Sequence, residues 1–407
     1  MLNNYLCDFK SHPWYVKGAE FDANKSEIHI HVDIRSDAAF VCPICGAKTK
    51  RYGYEPKERM WRHADCLFYP CYVHCCRPRV LCDKCGVQQI SAPFERANSR
   101  FTLMFEGYAM LIMADVPRAK AARLLRCNEK SLASILSYWV KDAVDKTKLD
   151  DIKSIAIDET SFKKGHSYVT VAIDADKRRV FDVEPDRDKK AVASVATMLK
   201  NHGGDPLNVQ SATSDMSKTY LPAIKEHFPN AKQVIDKFHV KQMFLKSLDE
   251  VRKQEQANSL DKKSLFQARK LIMIPESRMD EKQTARMKHI ANFYPKTGKA
   301  FRMAQVLDLF YEAPTKEEGE AGLDKLCSWM LRSRLSPMIK MAQTLRNHKA
   351  EILNYFEHRL TNAICEGINS MIQAAKRKAR GFRTFEGYSS MIYLIAGKLK
   401  LAVPTPL

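Results

Sequence analysis

Three acids stand where carboxylates can do chemistry. Lys153-Ser-Ile-Ala-Ile-Asp-Glu-Thr160 is a short apolar run that stops abruptly on Asp158. Asn208-Val-Gln-Ser-Ala-Thr-Ser-Asp215 ends on an acid in the same way. Far downstream, Thr361-Asn-Ala-Ile-Cys-Glu-Gly-Ile-Asn369 opens a helical pattern with Glu366 on its first turns. Strand ends meet solvent and often carry Asp, so any one of these is ordinary. Three carboxylates on three different elements are the makings of a divalent metal site.

The elements that must position them follow from pattern. An apolar run bounded by charge predicts a strand buried on both faces. Between Lys153 and Asp236 we expect strands at 154–158, 167–174, 178–184, 208–214 and 231–235, with helices at 189–201 and 217–227. The connections Gly165-His166 and Ala175-Asp176-Lys177 are short, so the first three strands are expected to form an antiparallel meander. The last two alternate with helices and are expected to run parallel to the first. This mixed order is that of a ribonuclease H-like core, in which the first and fourth strands end side by side and bring Asp158 near Asp215. Glu159 and Asp174 are the competing acids, and Glu159 is expected on the opposite face of its strand. Asp236 and His239 follow the last strand and have two readings, as groups supporting the acids or as a helix cap. Glu366 lies 151 residues after Asp215. That is too long for one loop and predicts an all-helical insertion at 246–345 inside a core of 151–245 and 346–407.

Lys plus Arg is 67 against 47 for Asp plus Glu, a formal charge of +20 with a pI near 9.4. The excess suits a polyanionic partner, nucleic acid first, against the plainer reading of a solvated basic surface. No run of about 18 apolar residues predicts a membrane span. The amino terminus lacks the basic and apolar regions of a secretory signal, so a cytoplasmic protein with reduced thiols is expected. Nine of the twelve Cys precede residue 90. In that compartment they point to metal rather than disulfides. Cys42-Pro-Ile-Cys45-Gly and Cys82-Asp-Lys-Cys85-Gly are paired knuckles, predicting a closed structural Zn2+ site in a finger at 1–92. Cys66, Cys71, His74, Cys75 and Cys76 are irregularly spaced, either a second site or packed free thiols. His29 and His31 alternate with apolar residues and read as solvent-facing. Arg62, His63, Arg77, Arg79 and Lys84 make the finger basic and are expected on DNA; a zinc-stapled interaction module is the alternative.

From Phe101 the pattern turns helical. Pro117, then Arg118 to Leu125, a short Arg126-Cys-Asn128 turn and Glu129 to Val140 predict a helix-turn-helix at 93–150. Its second helix is expected to offer Lys130, Ser131 and Ser134 to base edges, with Arg118 nearby. A helical hairpin used only for packing has nearly the same pattern. Lys376, Arg377, Lys378, Arg380 and Arg383 form a basic tract after the Glu366 helix and are expected to meet phosphate in a salt-dependent way.

In order, these motifs resemble those of the ISL-three family of insertion-sequence transposases. The resemblance rests on the paired knuckles, Arg62-His63, the helix-turn-helix, Ile157-Asp158-Glu-Thr, Ser214-Asp215-Met-Ser, Asp236-Lys-Phe-His239 and Asn362-Ala-Ile-Cys-Glu366-Gly-Ile-Asn369. It implies a DDE recombinase with Asp158, Asp215 and Glu366 as catalytic triad, a helical insertion, and recognition of an element's terminal inverted repeats. It implies a prokaryotic, nucleoid-associated protein acting as a dimer or larger on double-stranded element and target DNA. Two Mg2+ (or Mn2+) ions are expected on the triad, because hard cations prefer carboxylate oxygens. The crowded mid-finger cysteines and Cys365 depart from the commoner pattern, and Cys365 reads as packing. The competing functions are a DNA-binding regulator with an inactive core and a nuclease that only cuts.

Overall fold

The computed structural model describes residues 13–163, 167–358 and 363–403. The expected turn at Gly165-His166 and the motif residues Thr361 and Asn362 lie outside the described residues. The chain divides into two compact units, Met1–Thr147 with Ala374–Leu407, and Lys148–Gln373.

The first unit opens with β1 (Trp14–Asp22), β2 (Glu27–Ile34), β3 (Phe40–Val41), β4 (Lys48–Tyr54), β5 (Arg59–Cys66), β6 (Tyr69–Cys75), β7 (Pro78–Cys82) and β8 (Gly86–Gln89). They make two four-stranded sheets, β1-β2-β6-β5 and β3-β4-β7-β8. Alternation in β2 sends Ile30, Val32 and Ile34 inward with Trp14, Trp61, Val73 and Phe94. Each such side chain contributes about 1.5–3 kcal/mol on burial. The strand region therefore has a real hydrophobic core, to which Phe40 and Val80 of the second sheet also contribute, more than the sequence reading of a finger anticipates.

Three helices follow, α1 (Leu103–Asp115), α2 (Arg118–Leu124) and α3 (Glu129–Lys146). Asn128 caps α3 by accepting from the Lys130 amide at 2.8 Å, and Leu132, Ile135, Leu136 and Trp139 fill its buried face. A later helix, Phe385–Ala396, packs on α3 and α1. Residues from Ala374 onward thus group with the three helices rather than with the core segment expected at 346–407. Its buried Tyr388, Met391, Ile392 and Tyr393 are the apolar face that requires this partner.

The second unit holds β9 (Ser154–Lys163), β10 (Ser167–Asp174), β11 (Arg179–Pro185), α4 (Lys189–Asn201), β12 (Ser211–Ser214), α5 (Tyr220–His227) and β13 (Lys232–Ile235). The sheet order is β11-β10-β9-β12-β13, with β10 antiparallel to both neighbours and β12 parallel to β9 and β13. This is the mixed order expected from the sequence. Some boundaries differ: β12 begins at Ser211 rather than 208, α5 at Tyr220 rather than 217, and, the largest, β9 continues to Lys163 instead of stopping at Asp158. The extension persists because β10 pairs with it as far as Ser167↔Lys163, whereas β12 is paired with it only through Thr213↔Ala156.

After β13 the described chain is helical: α6 (Lys237–Ala257), α7 (Lys262–Ala268), α8 (Glu281–Phe293), α9 (Pro295–Tyr311), α10 (Lys316–Leu331), α11 (Ser336–Asn347), α12 (Lys349–Leu353), α13 (Tyr355–His358) and α14 (Ala363–Lys378). A second core built on Phe244, Leu248, Phe301, Leu326 and Met338 fills this bundle. At Gly298 a Cβ would sit 2.7 Å from the Ala291 Cα, so α8 and α9 meet backbone to backbone only because the residue is glycine.

Candidate active site and metal centres

The sheet forks at the acids. Beyond Ala156 and Thr213 the strands β9 and β12 are no longer paired, and two residues further along each chain stand Asp158 and Asp215. Parallel neighbours are about 4.8 Å apart, so continuing the register sets these two acids opposite one another at the mouth of a crevice between strand ends. The pleat then assigns faces. Ile155 and Ile157 point into the core against Val192, Val195, Leu199 and Tyr220 of α4 and α5, so Glu159 belongs to that side. Asp158 and Thr160 belong to the other, where α14 answers both. Asn369 Nδ2 donates to Asp158 Oδ2 at 2.6 Å, and Gln373 Nε2 to Thr160 Oγ1 at 2.6 Å. Glu159 is held instead by Arg187 at 3.2 Å.

The electrostatics are those of crowded, dehydrated acids. Asp158 is 9% exposed. Burial first, and then the neighbouring Asp236 and Asp215, push its carboxyl up to about 6, against the pull of the Glu159 amide and His239. Asp215 is raised by burial too, while the Ser217 amide, His239 and Arg187 work against it. Asp236 is the helix cap that the sequence offered as one of two readings, and it also bonds His239. It caps α6, accepting from the Phe238 and His239 amides at 2.9 and 3.3 Å, and its Oδ2 meets His239 Nδ1 at 2.5 Å. That bond raises the His239 pKa, helped by the charges of Asp158 and Asp215. Burial of the ring works against that rise.

Glu366 is exposed on the first turn of α14, beside the buried Cys365, whose thiol burial and the surrounding carboxylates hold protonated. Cys365 is therefore packing. Among the described residues, Asp158, Asp215 and Glu366 do not gather their oxygens within 4.8 Å of one another. The donor set nonetheless suits a hard cation: Asp158 is buried, the half-buried Asp215 is near enough to raise its pKa, and Asn369 Oδ1 is buried with no hydrogen-bond partner. Asn369 is the residue that sequence reasoning passed over. It sits one helical turn after Glu366, with Gln373 a further turn on, and that spacing was the available signal. Replacing Asn369 with Ala removes the one side-chain donor to Asp158 among the described residues. We expect divalent-metal affinity to fall about 10- to 100-fold with the fold retained, read by calorimetric Mg2+ or Mn2+ titration.

The four knuckle cysteines do converge. The Sγ atoms of Cys42, Cys45, Cys82 and Cys85 all lie within 4.8 Å of one another, with Cys45 and Cys82 at 3.6 Å. Four thiolates around one ion at about 2.3 Å stand roughly 3.8 Å apart, so the cluster fits a tetrahedral metal. Gly46 and Gly86 take the left-handed conformation that each knuckle turn needs, at φ 71° and 70°. Backbone amides of Cys45 and Ile44 aimed at the Cys42 sulfur draw its thiol down to about 7. The mid-finger group is different. Alternation along β6 buries Cys71 and Cys75 in the core and turns His74 to the other face, so they cannot share an ion. Burial pushes the Cys71 thiol up to about 12.

Three residues expected on DNA belong to the packing. Arg62 is 8% exposed and hydrogen bonds the backbone oxygen of Cys71, with Asp65 as ion partner. His63 is 1% exposed and bonds Thr102 Oγ1 at 2.8 Å, which ties β5 to the start of α1. Arg77 is locked between Glu55 and Glu95, each at 3.1 Å. Their long-range partners, invisible in a local motif, account for the correction. Arg79 is half-buried over the Tyr52 ring, and Arg118 pairs with Glu129 at 3.1 Å. Lys130 and Ser134 are exposed on α3 and Ser131 is half-exposed. Arg377, Lys378, Arg380 and Arg383 are exposed, whereas Lys376 is partly buried and lowered by that burial.

A family model described as a transposase, of the ISL-three DDE type, matches residues 155–392. The sheet, its acids and this match define a nucleic-acid-processing enzyme of the DDE transposase class. The transposase for insertion sequence element IS1557 of Mycobacterium tuberculosis is 24% identical over 371 residues, covering 84% of this chain and 82% of that protein. The transposase for IS1001 of Bordetella parapertussis is 24% identical over 358 residues, covering 85% and 86%. The chain belongs to the ISL-three family of transposases. No helix among the described residues is long and apolar enough to cross a membrane.

Proposed function

We propose that this chain binds the terminal inverted repeats of an insertion sequence, cleaves at the element's ends and joins the freed 3′-hydroxyls to target DNA. The observation that carries the proposal is the fork between β9 and β12, where Asp158 and Asp215 each lie two positions beyond the last paired residues, Ala156 and Thr213. Two Mg2+ or Mn2+ ions, when bound, would supply a water-derived or 3′-hydroxyl nucleophile at neutral pH and neutralise the leaving oxygen. Asp158, Asp215 and Glu366 would hold them, and Asn369 would fix the orientation of the Asp158 carboxylate. The Asp236–His239 pair stands beside the acids and positions the scissile phosphate through the imidazole. Zn2+ on the four cysteines is structural. Lys130, Ser131 and Ser134 of α3 read base edges, with Arg79, Arg118, Lys376, Arg377, Lys378, Arg380 and Arg383 on phosphates. Handling two element ends makes the working form a dimer or larger, in the bacterial cytoplasm at the nucleoid.

The test uses purified protein, Mg2+ and a duplex carrying the ends of the element. The expected result is nicking at the ends and transfer of a pre-cut 3′ end into plasmid DNA, both absent from Asp158→Ala. Cutting without joining would leave a nuclease. Binding with no metal-dependent cutting would leave a regulator.

A further inference from the structure

Arg187 plays no part in the chemistry above, yet both its backbone and its side chain are held beside the acids. β11 ends at Pro185, and Asp186 then takes the left-handed conformation at φ 63°. L residues rarely adopt that conformation, and it persists where the surroundings fix it. Here the Asp186 carbonyl accepts from Thr170 Oγ1 at 2.8 Å, and Thr170 Oγ1 is in turn 2.9 Å from the Tyr220 hydroxyl. Thr170 gives its one hydrogen to the carbonyl, so Tyr220 is the donor in the second bond. Both residues are fully buried. On the other flank, Asp188 caps α4 by accepting from the Ala191 amide at 2.9 Å. Arg187 therefore leaves a backbone that is pinned on both sides.

The side chain is fixed as well. In the β9–β10 pair Glu159 lies opposite Thr170 and Ser161 opposite Tyr168, so Glu159 and Tyr168 share one face. The Arg187 guanidinium sits over the Tyr168 ring at 4.4 Å, and its Nη1 donates to the two Glu159 oxygens at 3.2 and 3.3 Å. Nε and Nη2 have no partner among the described residues. Those two atoms carry the parallel pair of N–H groups with which arginine grips a carboxylate or a phosphate. The side chain is 51% exposed, which leaves that edge room for a ligand. Its charge is felt at Asp215, where it opposes the rise caused by burial and by Glu159.

Stability does not account for this arrangement. An exposed ion pair contributes little to folding, and ordering a long arginine side chain costs entropy. A guanidinium ordered in advance at the rim of a crevice is instead what an anion site needs, because the ligand does not have to order it on arrival. Resting on the reading of this crevice as the place where DNA is cut, we propose that Arg187 is a phosphate-binding residue. Its Nε–Nη2 edge takes the non-bridging oxygens of a DNA phosphodiester within one nucleotide of the bond cut, while Glu159 and Tyr168 hold it in place. Asp158 and Glu159, neighbours on β9 that face opposite ways, then both serve the site, Glu159 only through the arginine it holds.

The test is a binding cycle on duplexes carrying the element's ends, read by fluorescence anisotropy without added Mg2+ so that no strand is cut. An uncharged methylphosphonate replaces in turn the scissile phosphate and each of its two neighbours. One of these replacements should weaken binding by the unaltered chain about 10- to 100-fold, the range for a hydrogen bond to a charged group. The same replacement should cost Arg187→Ala less than about threefold, because the partner is already gone. Arg187→Lys keeps the charge without the fork and should restore only part of the difference. The thermal midpoint of Arg187→Ala should fall by no more than about 2–4 °C, as for loss of an exposed ion pair, which reports that the fold is intact. Equal sensitivity of the unaltered chain and Arg187→Ala at all three phosphates would overturn the proposal, and Arg187 would then be only the exposed partner of Glu159. Nicking of the same duplexes once Mg2+ is added judges the cutting activity separately. Phosphate coupling without nicking would remove that activity and leave the arginine's contact standing.

Discussion

Asp158→Asn is expected to abolish strand cleavage while making the metal-free protein harder to unfold. A carboxylate that holds a catalytic ion contributes several kcal/mol to the transition state, so the loss should be on the order of 10³-fold or more. The stability effect has the opposite direction. The Asp158 carboxyl is raised from 3.8 to about 6 by burial. Between those values the folded chain binds the proton and the unfolded chain does not, so this group's contribution to stability falls as pH rises through about 4 to 6 and stays low above. At pH 7 the ionised group costs about 3 kcal/mol at most, and the neutral amide recovers about 1–3 kcal/mol of it. Asn369 Oδ1, buried without a partner, is there to accept the new amide hydrogen once the Asn369 side chain turns over. Denaturant unfolding in chelator at pH 7 reads the gain, and the advantage over the unaltered chain should shrink towards pH 4. Added Mg2+ should stabilise the unaltered chain at pH 7.5 and have little effect at pH 5, where Asp158 holds its proton.

The largest structural effect is expected at the four cysteines. The sheet β3-β4-β7-β8 has short strands, of which β3 is two residues long, and both its knuckles end in left-handed glycines. Metal binding to four thiolates is worth roughly 10–16 kcal/mol in small fingers, far more than such a sheet buries by itself. Strong chelation, or Cys82→Ser, should therefore unfold the segment around residues 40–54 and 78–89. Limited proteolysis should cut there first, and elemental analysis should find the zinc gone. The cooperative unfolding of the Lys148–Gln373 unit should be unchanged, because its two hydrophobic clusters contain none of the four cysteines. Protease resistance of 40–89 without zinc would refute the structural role.

What the sequence made legible was whatever depends on local pattern. The alternation of Glu27–Ile34, the paired knuckles and the five core strands were all readable, as was the pleat that separates Asp158 from Glu159. The end of β9 was not, because propensity cannot register that β10 keeps pairing after β12 has left. Arg62 and His63 misled for the same reason. A basic motif looks exposed until a partner far along the chain, Thr102 in the case of His63, takes it inside. His29 was expected to face water, but its Nδ1 lies 2.8 Å from Nε2 of His74, 45 positions away, and only the parallel pairing of β2 with β6 brings the two together. Asn369 was in view as part of a motif, but its role depends on which face α14 turns towards β9.

The long helical insertion has a consequence in time as well as in space. Asp158 and Asp215 are made early, and Glu366 follows 151 residues after the second of them. At a synthesis rate of about 5–20 residues per second, the ribosome delivers the third acid roughly 8–30 s later. A nascent chain can fold its sheet and both acidic strand ends while the third acid of the proposed triad is still to be made. On that reading the insertion is a delay, and a chain interrupted anywhere within it would be released with the proposed cutting site unfinished.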